Sequence, residues 1–600
     1  MRDEYSRPVL VEVQENETLT DTPFKRAADT PDSVVMRRKE GAGWRDITAA
    51  EFRDDVAAVA KGLIAAGIGT GDRVGLMSRT RYEWTVADYG IWAAGAVTVP
   101  IYETSSEEQV RWILGDSEAK AVFTETDGHT ATVEAVRGEL PALRNVWRLE
   151  PDLSAFTATG AEIGDDQLAA ARGSVGADAL ATLIYTSGTT GRPKGCELTH
   201  RNLLFTIRNV IEGNLKQVFT VEGRSTLLFM TLAHSFPRVI QVGCVETHTV
   251  MGHTADLADL LPDLASYQPT FLLAVPRVFE KVYNGAEQKA VAGGKGSIFA
   301  AATDTAIAYS KAVDTGGPGL VLKLKHLLFD RLVYGKLRDA VGGHTTHAVA
   351  GGAALGERLG HFFRGIGLPV FEGYGLTETS APSSVNGPDA VRIGTVGRPF
   401  PGVAVRTASD GELLVRGDHV MRGYWKNETA TKEAFTEDGW LRTGDLGTID
   451  DDGFIRITGR KKEILVTAGG KNVAPAVVED RLRGHALVSQ CMLVGDGKPF
   501  VAALITIDPD ALEFWKSQNG KPESAGVAEL VDDPDLLAAV QEAVDDANKA
   551  VSKAESVRKF TVLPVDFTVE GGQMTPSLKV KREVVAREFA AEIDALYASR

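Results

Sequence analysis

The feature that most constrains the fold is an alternation of amphipathic helices and short apolar strands through the first two-thirds of the chain. One helical face is predicted by apolar residues spaced four, three and four apart: Phe52, Val56, Val59 and Leu63. An apolar strand segment follows at 73–77, and similar segments recur at 121–124 and 270–275. Because strands that alternate with helices form right-handed crossovers, this pattern predicts an α/β fold of mostly parallel sheets covered on both faces.

The pattern changes towards the C-terminal end. From 410 to 457 short strands are punctuated by Gly and Asp, which is typical of a small β-rich subdomain at about 400–459. A charged run at 459–463 follows, and then a second compact pattern with two apolar strands around a turn at 495–499. The sequence therefore predicts a large N-terminal domain, 1–459, and a smaller mobile C-terminal α+β domain, 460–600.

Composition and charge exclude several classes of protein. With 44% hydrophobic and 24% charged residues, the 600-residue chain is not largely disordered. Lys and Arg number 65 against 81 Asp and Glu, and the net charge of −16 argues against nucleic-acid binding. The three cysteines lie far apart, and the polar N-terminus lacks the apolar core of a signal peptide. We expect a cytoplasmic protein with reduced thiols, and leave open contact with a membrane surface and a homodimer.

The segment 185–195, Tyr-Thr-Ser-Gly-Thr-Thr-Gly-Arg-Pro-Lys-Gly, has the composition of a phosphate-binding loop. Its glycines let backbone N–H groups approach an anion, its hydroxyls add donors, and its lysine adds a positive charge. The candidate ligands of a polyphosphate are Thr186, Ser187, Gly188, Thr189, Thr190, Gly191 and Lys194. The loop is not a Walker A motif, because Lys194 follows Pro193 and precedes Gly195. The alternative is a solvated linker.

With this loop, the sequence resembles the adenylate-forming superfamily, which includes acyl-CoA synthetases, luciferases and the adenylation domains of peptide synthetases. The other segments that carry the resemblance follow in the family's order: 351–355, 374–378, 443–445, 459–463, 469–472 and 575–579. The resemblance runs from about residue 20 to the end. It implies ATP, Mg²⁺ and CoA as cofactors and co-substrates.

The resemblance also assigns nucleotide-binding roles. The residues concerned are Gly351, Gly352, Tyr374, Gly375, Thr377, Asp445 and Arg460. Tyr374 would stack on adenine, Thr377 would hydrogen-bond the α-phosphate, and Asp445 would accept hydrogen bonds from the ribose. Arg460 would reach the same sugar or the phosphates. Glu378 would bind Mg²⁺, since a carboxylate is a hard oxygen ligand suited to an ion that bridges phosphates.

Lys579 is the strongest catalytic candidate. Attack of a carboxylate on the α-phosphate of ATP brings two anions together, and a cation between them stabilises the transition state. Leu578 replaces the superfamily's usual glycine before the lysine, a departure that long-chain fatty-acyl-CoA synthetases share. If the motif aligns differently with this sequence, Lys581 is the alternative catalytic lysine. His234 falls where the long-chain ligases place a residue near the acyl carboxylate, and its alternative is an ordinary core histidine.

Lys579 cannot stabilise the transition state of adenylation while a channel for the CoA thiol opens at the same place. The family resolves this conflict by rotating the C-terminal domain about a hinge, which corresponds here to Lys462. After rotation, Gly469, Gly470 and Lys471 would line the channel for the phosphopantetheine arm of CoA.

The resemblance implies a long-chain fatty-acid–CoA ligase, which forms acyl-AMP and pyrophosphate and then an acyl-CoA thioester. One alternative is a fatty-acyl-AMP ligase that passes the acyl group to a carrier protein. No extra segment lies between the motifs at 374 and 471, which favours CoA. Two further alternatives are a ligase for a shorter or aromatic carboxylate and an inactive nucleotide-binding scaffold.

Overall fold

The computed structural model describes residues 2–149, 153–186, 192–575 and 578–598. The strands are β1 (Glu4–Ser6), β2 (Val34–Glu40), β3 (Gly43–Thr48), β4 (Arg73–Met77), β5 (Val97–Ile101), β6 (Ala121–Thr124), β7 (Asn145–Arg148), β8 (Leu180–Thr186), β9 (Lys194–Thr199), β10 (Ser225–Leu228), β11 (Val250–His253), β12 (Phe271–Ala274), β13 (His347–Ala350), β14 (Val370–Leu376), β15 (Ala381–Val385), β16 (Arg398–Pro399), β17 (Ala404–Thr407), β18 (Glu412–Arg416), β19 (Leu441–Ile449), β20 (Ile455–Arg460), β21 (Leu465–Val466), β22 (Asn472–Val473), β23 (Val488–Val494), β24 (Val501–Ile507) and β25 (Val557–Val562).

The α-helices are α1 (Asp21–Asp29), α2 (Ala49–Ala65), α3 (Tyr82–Ala93), α4 (Glu107–Asp116), α5 (Asp127–Val136), α6 (Leu153–Ala158), α7 (Asp165–Arg172), α8 (His200–Val210), α9 (Lys216–Phe219), α10 (Ser235–Thr247), α11 (Leu260–Tyr267), α12 (Pro276–Ala292), α13 (Gly296–Val313), α14 (Leu320–Phe329), α15 (Gly335–Ala340), α16 (Glu357–Gly365), α17 (Glu428–Ala434), α18 (Pro475–Arg483), α19 (Pro509–Gln518), α20 (Val527–Leu530), α21 (Pro534–Asn548), α22 (Arg582–Glu588) and α23 (Ala590–Tyr597). Within the described ranges, none of the helices is long and apolar enough to cross a membrane.

Three sheets with mainly parallel strands form the frame of the N-terminal part. The first has the order β7-β6-β4-β5-β8-β9 and is parallel up to the antiparallel pair β8/β9. The second, β10-β11-β2-β3, is parallel except at β2/β3. In the third, β12-β13-β14 are parallel, and β15 and β16 add antiparallel strands. The predicted α/β class is confirmed, and the strand segments expected at 73–77, 121–124 and 270–275 are β4, β6 and β12.

The β-rich region is one antiparallel sheet with the order β1-β17-β18-β19-β20. Most of it comes from the segment predicted at about 400–459. Its edge strand β1 comes from the N-terminus, where Tyr5 pairs with Val405. A strand of three residues is too short to show a period in sequence, so its place could not be predicted.

The C-terminal part contains a separate sheet, β23-β24-β25, in which the first pair is antiparallel and the second parallel. The two strands expected around the turn at 495–499 are β23 and β24. Two apolar clusters, formed within 473–562 and within 492–596, fill this part. The precise limits 1–459 and 460–600 stay a prediction, since β20 continues the β-rich sheet to Arg460.

The core of the N-terminal part is organised around two helices. The face predicted on α2 is buried: Phe52, Val56, Val59 and Leu63 are at most 2% exposed. It packs on α3, all 12 residues of which are buried. A helix buried all round needs partners for its polar side chains, because an unpaired charge in an apolar core is very costly.

One of the two buried carboxylates of α3, that of Asp88, forms an ion pair with Arg238 of α10. Both side chains are at most 1% exposed. Arg238 Nε lies 3.0 Å from Asp88 Oδ2, and Nη2 reaches Oδ1, so the pairing is bidentate. Arg238 Nη1 also donates to Thr182 Oγ1 of β8 at 2.5 Å, and Thr98 Oγ1 donates to Asp88 Oδ1 at 2.7 Å. The pair therefore joins α3, α10 and β8 at one point.

We expect Arg238→Met to lower the free energy of unfolding by about 3–5 kcal/mol, because it leaves the Asp88 charge buried without its cation. Adding Asp88→Asn should recover most of that loss, since no buried charge then remains. Denaturant unfolding followed by intrinsic fluorescence measures both. Arg111→Met, in the exposed pair with Glu139, is the control and should cost at most about 1 kcal/mol. A similar cost for Arg238→Met and the control would contradict this account.

Candidate active site

The expected phosphate loop connects β8 to β9. These strands are antiparallel, and Thr186 at the end of β8 pairs with Lys194 at the start of β9. Lys194 Nζ lies 4.9 Å from the ring centroid of Tyr424. The loop members Ser187, Gly188, Thr189, Thr190 and Gly191 lie outside the described residues. The two described ends of the loop thus lie side by side, as a hairpin requires.

Tyr374 and Gly375 lie on β14 where this strand pairs with β15. The register shifts between them, and a Cβ at Gly375 would lie 1.5 Å from the carbonyl oxygen of Ala381. Only glycine therefore fits at 375. The Tyr374 hydroxyl donates to Asp445 Oδ2 at 2.7 Å, which joins this motif to the predicted ribose-binding carboxylate.

Thr377 and Glu378 follow in a 3₁₀-helix, Thr377–Thr379. The Glu378 carboxylate accepts a hydrogen bond from the Tyr424 hydroxyl at 2.8 Å. The same tyrosine ring lies beside Lys194, so Tyr424 links the lysine of the phosphate loop to the carboxylate expected to bind Mg²⁺. Burial is the main cause that raises the pKa of Tyr424, and its hydroxyl stays a neutral donor.

Asp445 and Arg460 face each other on the paired strands β19 and β20. Arg460 Nε lies 2.9 Å from Asp445 Oδ1, and the carboxylate is almost fully buried. With Tyr374 on Oδ2, both carboxylate oxygens have a protein donor. Each carboxylate oxygen can accept more than one hydrogen bond, so the ribose role expected of Asp445 is compatible with these contacts.

Gly351 and Gly352 follow directly after β13. A Cβ at Gly351 would lie 3.0 Å from the ring of Phe236 in the first turn of α10, and Gly352 has a φ of +85°. The end of β13 and the beginning of α10 therefore meet closely, which places the expected adenine loop next to His234.

His234 is the N-cap residue of α10. Its Nδ1 accepts a hydrogen bond from the backbone N–H of Phe236 at 3.2 Å. Burial, and to a smaller extent the charge of Lys579, lowers the pKa of His234 to about 4. The ring is therefore neutral near pH 7, and with Nδ1 as acceptor the proton is assigned to Nε2, which is left as a donor.

Lys579 lies in a tight loop of the C-terminal part. The loop closes through two hydrogen bonds, from Thr575 N to Lys579 O at 2.8 Å and from Lys579 N to Thr575 Oγ1 at 3.0 Å. Leu578 adopts a φ of +60°, a conformation that favours glycine. The leucine noted in the sequence thus occupies a left-handed position for which the superfamily's usual glycine is suited.

The charges around Lys579 come from both parts of the chain. Lys579 is exposed as a whole residue, yet the protein atoms packed around its charged end lower its pKa. Desolvation is the main cause, and the nearby guanidinium of Arg460 adds to it. The carboxylates of Asp445, Glu378 and Glu463 act in the opposite direction. The charges of the residues expected to hold ribose and Mg²⁺ therefore act on Lys579.

The expected hinge residue Lys462 lies in a 3₁₀-helix, Lys461–Glu463, between β20 and β21. The neighbouring Lys461 is held by Asp410 at 2.5 Å and by Glu412 at 3.1 Å. Lys462 is exposed, and no ion pair forms at it within the described ranges. A short exposed element between two sheets is suited to absorb a change of backbone angles.

The expected CoA-channel residues Gly469, Gly470 and Lys471 form the turn between β21 and β22. Gly470 has a φ of +76°, and its N–H donates to Thr467 O at 2.8 Å. Lys471 Nζ lies 3.5 Å from Glu555 of the same C-terminal part. In this conformation Lys579 is the residue near the nucleotide motifs, and Lys471 is engaged elsewhere.

Two family models match the chain. That of the AMP-binding enzyme covers residues 24–425, and that of the AMP-binding enzyme C-terminal domain covers residues 462–600. The chain belongs to the AMP-binding enzyme family. The relatives of this AMP-binding enzyme include the long-chain-fatty-acid–CoA ligase FadD15 of Mycobacterium bovis, 53% identical over 598 residues that cover 99% of each chain. A ligase of the same name from Mycobacterium tuberculosis is 52% identical, with the same coverage.

A more distant relative is the long-chain-fatty-acid–CoA ligase ACSBG2 of Xenopus laevis, 31% identical over 94% of this chain and 82% of its own length. Among solved structures, the anthranilate CoA ligase AuaEII in complex with anthranoyl-AMP has a TM-score of 0.72 at 18% identity, over 97% of this chain and 99% of that one. The A domain of a carboxylic acid reductase from Segniliparus rugosus has a TM-score of 0.75 at 18% identity, over 97% and 94%. These two structures establish the fold of the AMP-binding enzyme and nothing further.

Tyr424 is a residue of the site that the sequence did not reveal. It reaches Glu378 and Lys194 because the segment around it pairs with the outer edge of β9, where Trp425 N donates to Gly195 O at 2.8 Å. The two paired residues are 230 positions apart in the chain, so no local pattern in the sequence indicates the pairing.

A contact between the two parts of the AMP-binding enzyme was also missed. Arg277 Nη2 of α12 lies 2.6 Å from Asp508 Oδ2, at the start of α19. Both side chains are mostly buried, so the ion pair helps to hold the conformation in which Lys579 lies near Glu378. Each residue is an ordinary charged residue in its own segment, and the pairing depends on how the two parts pack.

Glu378 fits the expected Mg²⁺ as a ligand shared with phosphates. The described residues include no group of three His, Cys, Asp or Glu side chains that could hold a metal ion by themselves. Mg²⁺ commonly binds to one or two carboxylates together with the phosphates of a substrate. One carboxylate, hydrogen-bonded to Tyr424, whose ring also contacts Lys194, agrees with that kind of site.

Glu372 on β14 gives a pH-dependent prediction. It is buried, accepts a hydrogen bond from Leu355 N at 2.8 Å, and burial raises its pKa to about 7 from 4.5. Ionisation of Glu372 therefore costs more free energy in the folded than in the unfolded state. The free energy of unfolding consequently falls as the pH rises from about 4.5 through about 7.

Glu372→Gln keeps an oxygen acceptor and removes this charge. We expect wild type and variant to be about equally stable near pH 4, and the variant to be more stable by up to about 3 kcal/mol near pH 8. Denaturant unfolding at both pH values measures the difference. A difference in stability that does not change with pH would contradict the assignment.

Proposed function

We propose that this enzyme activates a long-chain fatty acid with ATP to give acyl-AMP and pyrophosphate, and then forms acyl-CoA from the adenylate and CoA. The observation that supports it most directly is that the charges of Glu378, Asp445 and Arg460, residues of the expected nucleotide motifs, act on Lys579. The names of relatives 53% and 52% identical over 99% of the chain support the same reaction and the long-chain substrate.

In the first half-reaction, Lys579 counters the repulsion between the fatty-acid carboxylate and the α-phosphate. A cation that is partly desolvated interacts more strongly with developing negative charge than one in bulk water. The hydroxyl of Thr377 donates a hydrogen bond to the α-phosphate, and the ammonium group of Lys194 forms an ion pair with the polyphosphate. Mg²⁺ held by Glu378 would neutralise phosphate charge when bound.

His234 positions the acyl carboxylate in this proposal. Its Nδ1 is already used by Phe236 N–H, so the neutral ring presents the Nε2 proton to a carboxylate oxygen. Because its pKa is about 4, the ring stays neutral and contributes a directed hydrogen bond without adding a second cation beside Lys579.

The nucleoside is held by the remaining motif residues. The Tyr374 ring stacks on adenine beside Gly351 and Gly352, and Asp445 accepts hydrogen bonds from the ribose. Arg460 already pairs with Asp445 at 2.9 Å, which fixes the carboxylate before the nucleotide binds. Preorganised groups of this kind need little rearrangement during the reaction.

The second half-reaction requires another conformation of the C-terminal domain. Rotation at Lys462 withdraws Lys579, breaks the pair between Arg277 and Asp508, and brings the Gly469–Lys471 turn to the thiol channel. The proposal divides the chain into domains 1–459 and 460–600, with ATP, Mg²⁺, CoA and a fatty acid as its ligands. A cytoplasmic location and a homodimer belong to the same proposal and are measured by fractionation and sedimentation velocity.

Single-turnover product analysis with ATP and palmitate, with and without CoA, tests the function. We expect wild type to form palmitoyl-AMP and to convert it to palmitoyl-CoA when CoA is added. Lys462→Pro fixes a backbone angle at the hinge and should still form the adenylate while losing most of the conversion. Lys462→Ala removes the same charge without restricting the hinge, and it should behave as wild type.

If wild type forms palmitoyl-AMP but does not convert it when CoA is added, the enzyme is an acyl-AMP ligase instead. Absence of both products would exclude long-chain fatty acids and direct the assay to shorter or aromatic carboxylates. If Lys462→Pro and Lys462→Ala convert palmitoyl-AMP to palmitoyl-CoA equally well, the assignment of Lys462 as the hinge is wrong.

A further inference from the structure

Helix α14 turns its apolar face to solvent. Six apolar side chains on this helix and the π-helical turn after it, Asp330–Tyr334, are 49% to 75% exposed. They are Leu320, Val321, Leu324, Leu327, Leu328 and Leu332, called here the α14 face. Their spacing places them on one side of the helix, since a helix turns by about 100° per residue. No residue of α14 is buried.

The opposite side of α14 is fixed to the rest of the molecule. The ring of His326 stacks on Tyr309 of α13, with the centroids 3.9 Å apart. Its Nε2 lies 2.6 Å from the carbonyl oxygen of Gly365. These contacts hold the helix in one orientation, so the outward direction of the α14 face is part of the packed structure.

Positive charge borders the α14 face. Lys323 and Lys325 are exposed and lie on opposite edges of the apolar stripe, and Lys336 follows in α15. None of the three forms an ion pair within the described part of the chain. The chain as a whole carries a net charge of −16, so this basic border is opposite in sign to the protein overall.

Two carboxylates near Lys323 and Lys325 are already paired with arginines, whereas Asp339 is exposed in the same helix as Lys336. Asp330 is paired with Arg338 at 2.7 Å, and Asp314 is paired with Arg364 at 2.6 Å. Lys323 and Lys325 therefore remain available to an external anion.

We propose that the α14 face docks on the surface of an anionic phospholipid bilayer, with the helix lying in the plane of the interface. The leucines would enter the boundary between headgroups and acyl chains, and the flanking lysines would extend to the phosphates. A second copy of the chain on the same face would bring lysine edges against lysine edges, which is unfavourable. The inference rests on exposure and charge and does not depend on the proposed substrate.

Co-sedimentation of the full chain with vesicles tests the docking. We expect binding to vesicles of phosphatidylcholine with phosphatidylglycerol, weaker binding to phosphatidylcholine alone, and release at high salt. The double substitution Leu324→Gln/Leu328→Gln should weaken binding by about tenfold or more, because it removes apolar area from the interface. The control Leu257→Gln/Leu261→Gln changes two leucines that are 63% and 55% exposed elsewhere, and should bind as wild type.

Lys323→Gln/Lys325→Gln gives a second test at exposed positions. It should lower binding to anionic vesicles several-fold and leave binding to phosphatidylcholine unchanged. ATP–pyrophosphate exchange with soluble octanoate should be the same in all variants, which separates docking from catalysis.

Three results would overturn the proposal: no binding of wild type to anionic vesicles, equal binding to both vesicle types, or equal binding by the α14 and control variants. A dimer in sedimentation velocity that Leu324→Gln/Leu328→Gln abolishes, without any vesicle binding, would assign the face to self-association instead.

Discussion

The buried pair of Asp88 and Arg238 is the constraint on which the site depends. It lies where α3, α10 and β8 meet, and both charges are removed from water. Arg238 also bonds Thr182, four residues before the phosphate loop begins at Thr186, and lies four residues after His234. Because a buried charge tolerates little displacement from its partner, this pair sets the position of the loop relative to the histidine.

Local patterns in the sequence could predict much of the fold. The face of α2 and the strands β4, β6, β12, β23 and β24 follow from apolar spacing, and the structure confirms them. The glycine at 375 also agrees with its motif, since a Cβ there would meet Ala381. Within a few residues, side-chain period and backbone sterics are enough to indicate structure.

Contacts between distant segments could not be predicted in this way. Tyr424 depends on pairing at the edge of β9, the pair of Arg277 and Asp508 depends on how two parts of the chain pack, and β1 is only three residues long. The leucines of α14 lie outward, and their exposure depends on which surfaces the rest of the fold leaves uncovered. In each case the deciding partner is far away in the chain.

In the proposed mechanism, the charges around Lys579 make one conformation suitable for only one half-reaction. Arg460 and desolvation disfavour its positive charge, while Asp445, Glu378 and Glu463 support it. Adding an anionic nucleotide strengthens that support, so the substrate itself favours the closed arrangement. Once pyrophosphate leaves, part of this attraction is lost, which would make the proposed rotation of the C-terminal domain easier. Electrostatics thus couples the chemistry to the order of conformations.

The central claim is that Lys579 acts in adenylation and is dispensable for thioester formation. The direct measurement is the single-turnover rate of Lys579→Ala in each half-reaction, from ATP with palmitate and from supplied palmitoyl-AMP with CoA. We expect a loss of about 10²–10³ in the first rate and a second rate close to that of wild type. Lys581→Ala, the neighbouring lysine, should keep both rates. Equal losses in the two half-reactions for Lys579→Ala would contradict the account.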